Sequence, residues 1–177
     1  MSFYDVVLYG LIWAWFMLSA FYMTAFLFHE FGHRQVALHF GLQTKFRLLT
    51  YGMLMTIISL GRMALPGAVV VLGLDKISRK TGLCKAAGPL VNLIYGSILL
   101  LISYILPTVL YPLNYIIGYG AQFNFMLGLF NMIPVGILDG QNIWKWNKKV
   151  YISLIIPLAI LLIITLSSIS STVYVPI

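Results

Sequence analysis

From Val6 to Phe28 the chain carries no charged residue. About 20 apolar residues in a helix suffice to cross the hydrocarbon core of a bilayer. This run is longer than that and continues to Phe40 without a proline. A chain of 177 residues leaves little room for anything besides a membrane core, and 61% of its residues are hydrophobic while only 8% are charged. Soluble domains carry about a quarter charged residues. The chain reads as an integral membrane protein. Asp5 stands where a cleavable signal would carry Lys or Arg, and the apolar run exceeds a signal core, so a retained helix is expected.

Three more apolar runs follow, over residues 86–106 (entered by Gly88-Pro89), 113–133 and 150–172. Residues 44–75 differ: Leu48–Leu60 is apolar but too short to span, and Pro66-Gly67-Ala68-Val69-Val70-Val71 reads as a turn and a β-rich piece. The expected architecture is an all-α polytopic membrane protein, one domain over 1–177. It has about four transmembrane helices (6–40, 86–106, 113–133, 150–172) and a membrane-associated β-hairpin or re-entrant segment (44–75) between the first two. Irregular backbone at membrane depth is tolerated only against protein or a wet cavity, so this segment is expected to line a site.

The net charge of +7 does not indicate nucleic acid, because the eleven basic residues are scattered over loops flanking apolar runs. Arg34, Lys45, Arg47, Arg62, Lys76, Arg79, Lys80 and Lys85 fall at the end of the first span or before the second, and Lys145, Lys148 and Lys149 between the third and fourth. Four crossings with both termini outside put all of them in the cytoplasm, as Lys and Arg asymmetry requires. A cell-membrane protein is expected. The single Cys84 has no intramolecular disulfide partner and reads as an inert thiol.

Only four acidic residues occur. Two of them, Glu30 and Asp139, lie in apolar surroundings, where a carboxylate is costly and marks function. Glu30 sits in His29-Glu30-Phe31-Gly32-His33. On a helix the two histidines share a face, about 6 Å apart along the axis, a spacing that lets both imidazoles hold one zinc while Glu30 serves as general base. The alternative, histidines bonded to neighbours and Glu30 paired with Arg34, fits poorly where all three groups adjoin a membrane span.

A catalytic zinc takes three protein ligands and keeps one open position. No other Glu exists to be the third. His39 lies ten residues after His29, but Val36 stands where a chain-reversing glycine is needed; on a continuing helix His39 points about 120° away from His33 and lies about 9 Å further along. Asp139 remains, just past the helix break at Asn131 and Pro134. Asp5 and Asp75 have no comparable setting.

With Ala37 and Gly41 after the histidines, Gly88-Pro89-Leu90-Val91-Asn92 opening a span, and Asn131-Met132-Ile133-Pro134 followed by Leu138-Asp139-Gly140, the chain resembles the site-2 protease family of intramembrane zinc metalloproteases. The resemblance implies a three-helix catalytic core with one zinc per chain, held by His29, His33 and Asp139, and Glu30 as catalytic base. It implies transmembrane protein substrates, cut within or next to their membrane segments; the charge map puts His29, Glu30 and Asp139 towards the cytoplasmic side. Asn131 matches an asparagine that positions substrate or stabilises the oxyanion. Asn92 matches a second motif asparagine, a candidate for the same role or for helix packing. The 44–75 segment corresponds to the family's hairpin, whose edge pairs with an unwound substrate. An inactive relative that only binds transmembrane segments is one alternative. A metal-transport protein is another, disfavoured by the shortage of further intramembrane carboxylates and histidines.

Overall fold

A computed structural model describes residues 3–48, 67–71, 77–110, 113–136 and 138–172. Helix α1 (Phe3–His39) runs through both histidines of the motif without a break. It ends where Gly41, at φ 71°, turns the chain. The Gly41 N–H donates to the Leu38 carbonyl at 2.9 Å and the Leu42 N–H to the Ala37 carbonyl at 3.0 Å, the paired bonds of a helix closed by a left-handed glycine.

Strands β1 (Thr44–Leu48) and β2 (Gly67–Val71) pair antiparallel, with Thr44 opposite Val71 and Leu48 opposite Gly67. The pair packs against α1. Residues 49–66 and 72–75 of the expected re-entrant segment lie outside the described residues.

Helix α2 (Arg79–Ile105) starts upstream of the apolar run expected at 86–106, and Gly88 and Pro89 lie inside it rather than opening it. Ser78 caps it, its hydroxyl accepting from the Thr81 N–H at 3.1 Å, which satisfies a donor the first turn would leave orphaned. Pro89 removes one helical hydrogen bond, and a packed membrane helix accommodates that loss. The apolar run thus marks the part suited to hydrocarbon, while the helix extends beyond it.

A 3₁₀ turn (Thr108–Leu110) leads to α3 (Leu113–Asn131). A short helix absent from the sequence expectation, α4 (Asp139–Trp146), precedes α5 (Lys148–Thr172), which contains Pro157.

Among the described residues three helical stretches are long and apolar enough to cross a membrane: Tyr9–His39, Arg79–Ile105 and Lys148–Ser168. Helix α3, expected as a span over 113–133, ends at Asn131 and is not among them. Asn114, Gln122, Asn124 and Asn131 dilute its apolar character. The helix lies against α1, α2 and α5, and Asn124 and Asn131 are buried there. Leu99, Phe125, Met132, Ile143, Leu154 and Leu158 form the main core between these helices. On α1, by contrast, Leu11, Trp15, Phe16 and Met23 are exposed, an apolar surface larger than a water-facing helix carries without a covering.

Candidate metal centre

The continuous α1 stacks His29 and His33 one turn apart on its inner face, both buried. Asp139 reaches them from the first turn of α4, after the chain has broken from α3 at Asn131, passed Pro134 and turned at Gly136 (φ 65°). Pro134 has no N–H with which to prolong α3. A Cβ on Gly140 would collide with the Met132 carbonyl, so only glycine lets α4 seat this close to the break.

His29 Nε2 lies 3.2 Å and His33 Nε2 3.0 Å from Asp139 Oδ2, and the two Nε2 atoms are 3.1 Å apart. Helix α2 fixes what these atoms are. The His33 Nδ1 faces the Cys84 carbonyl at 2.7 Å; a carbonyl only accepts, so Nδ1 carries the hydrogen. His29 Nδ1 bonds to Asn92 Oδ1. The orientation of Asn92 follows from its amide nitrogen, which donates to the Ala25 carbonyl at 3.2 Å and to Asn124 Oδ1 at 3.0 Å. Asn124 is set in turn by donation to the Gly120 carbonyl at 2.9 Å. His29 Nδ1 is therefore also a donor, and both Nε2 atoms direct lone pairs at Asp139 Oδ2.

Three lone pairs within about 3 Å of one another repel unless positive charge lies between them. A proton on one ring satisfies one pair; a metal cation satisfies all three. In a tetrahedral zinc site with bonds of about 2.0–2.2 Å the ligand atoms sit about 3.3 Å apart, close to the separations found. His29, His33 and Asp139 accordingly form a buried set able to hold a metal ion.

The other carboxylate oxygen, Asp139 Oδ1, accepts from Lys85 Nζ at 3.0 Å. Burial pushes the Asp139 carboxyl up, but where a metal-free imidazole takes a proton on Nε2 its charge and hydrogen bond, together with the Lys85 charge, outweigh burial and hold the group well below the usual carboxylate range. Glu30, beside His29, is buried.

The remaining sequence candidates lie around this set. Asn92 is 0% exposed, behind His29, where it orients the ring. Asn131 is buried at the end of α3 and donates to the Leu127 carbonyl at 3.0 Å; among the described residues no hydrogen bond joins it to His29, His33 or Asp139. His39 is exposed and stacks edge-on against Phe40. Sequence reasoning missed Asn124 and treated Lys85 only as a loop charge. One signal was present: Gly88 and Asn92 are one helical turn apart, so the residue leaving room for the imidazoles shares a face with the one orienting His29.

A helical protein with membrane-length apolar helices and a buried His-His-Asp centre next to a glutamate is the class that fold and site define. A Methanocaldococcus jannaschii protein that carries zinc metalloprotease as a provisional name is 32% identical over 142 residues, covering 76% of this chain and 72% of that protein. A second protein from the same organism, named a zinc metalloprotease, is 32% identical over 134 residues, covering 74% of this chain but 34% of its own length. No family model matches the chain, and no solved structure does. The chain belongs to the zinc metalloprotease family these relatives represent.

Proposed function

We propose that the protein is an intramembrane zinc metalloprotease of the site-2 type, hydrolysing peptide bonds within or next to transmembrane segments of membrane-protein substrates. The observation that carries this reading is the convergence of His29 Nε2, His33 Nε2 and Asp139 Oδ2, with both histidines locked by α2 in the tautomer a metal needs. The relatives' names support zinc as the metal and proteolysis as the reaction. The three apolar helices support a bilayer setting. In this reading α3 is the fourth crossing, its amides sheltered by its neighbours, the basic residues face the cytoplasm, and both termini lie outside.

His29, His33 and Asp139 would hold the zinc. When bound there, zinc would supply Lewis-acid polarisation of the scissile carbonyl and of the attacking water. Glu30 takes the proton of that water and returns it to the departing amine nitrogen. Burial between α1, α2 and α4 keeps bulk water from Glu30 and the imidazoles, so a substrate segment must present a locally unwound bond there. The edge of the β1–β2 pair, packed on α1, offers backbone groups to hold such a segment extended.

The purified protein should contain one zinc per chain and cleave a transmembrane peptide in lipid nanodiscs. Chelation should stop cleavage and zinc restore it. Protons compete for the imidazole nitrogens, so zinc affinity should fall toward acid pH; Asp139, held ionised, is not the group that gives way first. A metal-free preparation that cleaves at the same rate would overturn the assignment. Asn92→Leu removes the acceptor behind His29 and should weaken zinc binding by about 10–100-fold, measured by chelator competition. Undiminished affinity would mean that the His29 tautomer is set elsewhere.

A further inference from the structure

We infer that Lys85 is a positioning residue of the metal centre: it holds Asp139 Oδ1 so that the carboxylate offers the metal Oδ2 alone. The inference rests on the zinc reading of the site. The two oxygens of Asp139 already face different partners, Oδ2 the imidazole nitrogens at 3.0 and 3.2 Å and Oδ1 the Lys85 ammonium at 3.0 Å. Donation from an ammonium occupies one lone pair of Oδ1 and draws electron density from it, which makes Oδ1 the weaker ligand, and zinc accepts carboxylates through either one oxygen or two. With Oδ2 alone, three protein atoms bind and one tetrahedral position stays open for the reaction. With both oxygens, that position is crowded.

The arrangement is backed by the helix that carries it. The carbonyl of Cys84, the residue before Lys85, fixes His33, and Asn92 on the same helix fixes His29. Helix α2 thus supplies the outer contact of all three ligands, and Lys85 is the one that bears charge. Its side chain is 27% exposed against 5% for Asp139, so the ammonium keeps partial hydration while neutralising a carboxylate that burial would otherwise penalise. Lys80, five residues earlier, lies over the Phe40 ring instead, 5.9 Å from its centre. A lysine in the first turns of α2 therefore does not pair with Asp139 merely by being nearby. Outer partners of this kind orient ligands and tune the metal, and their loss costs about 10–100-fold in affinity or activity.

The test uses the full-length protein in nanodiscs with cobalt(II) in place of zinc, because the visible bands of cobalt weaken when a fifth ligand atom joins four. Lys85→Met should bind zinc about 10–100-fold more weakly and give the weaker cobalt spectrum of a two-oxygen carboxylate. Lys85→Arg, which keeps the charge, should restore both. If Lys85→Met misfolds by circular dichroism, Lys85→Gln replaces it with the same two readouts. Wild-type affinity and spectrum in the neutral variant would overturn the role of Lys85 while leaving the metal centre standing. Wild-type protein that takes up neither metal would overturn both.

Discussion

Glu30→Gln should retain zinc at the wild-type level and lose about 10²–10⁴-fold in cleavage rate, the usual worth of a positioned general base. The two side chains have the same length and shape, so the substitution removes charge and proton acceptance while keeping the volume. Glu30 lies outside the triangle of lone pairs that would hold the metal, and neither imidazole uses it as its Nδ1 acceptor. Metal content and hydrolysis should therefore separate, which distinguishes Glu30 from its neighbours: Asp139→Ala or His33→Ala should lose both together. Single-turnover cleavage of a transmembrane peptide, with zinc measured on the same samples, reads the difference. Equal turnover in the Gln variant would reject Glu30 as the base. A wild-type protein that binds the peptide and zinc but never cuts would instead identify a binding relative.

How much of this was legible in the sequence depended on whether the signal was local. The His29–His33 spacing works on any unbroken helix, and nothing between Val6 and Phe40 breaks one. Asp139 was reached by elimination, since the chain has so few acids. Element ends were less legible. Hydropathy located the apolar part of α2 but not its start, because the cap at Ser78 lies among charged residues that belong to the helix without belonging to hydrocarbon. Helix α3 misled in the opposite sense: its apolar run reads as a span, yet its four amide side chains leave it outside the helices apolar enough to cross a membrane, and two of them, Asn124 and Asn131, are buried against its neighbours. The roles of Asn92, Asn124 and Lys85 were hidden because each depends on a partner far along the chain, Asn92 on His29 and Ala25, Lys85 on Asp139. The sequence marks such residues as polar or basic without saying what they face.

Gly88→Ala, the addition of one methyl group, should weaken zinc binding by at least about 100-fold and suppress cleavage with it. A Cβ at this position would lie 2.5 Å from His33 Cε1 and Nε2 and 2.6 Å from His29 Cε1, well inside van der Waals contact. The helix backbone itself gains, because alanine favours a helix over glycine by about 0.8–1 kcal/mol. The fold should therefore survive, and the loss should appear at the site. The rings have no easy direction of retreat. His33 is held by the Cys84 carbonyl and His29 by Asn92, so yielding to the methyl breaks an orienting hydrogen bond or moves an Nε2 lone pair off the metal. Gly10→Ala is the matched control: its Cβ meets nothing within 4 Å, and neither zinc affinity nor cleavage should change. If Gly88→Ala bound zinc as tightly as Gly10→Ala, the imidazoles would have to sit further from α2 than this geometry requires. The tautomer argument, which depends on that closeness, would then fail.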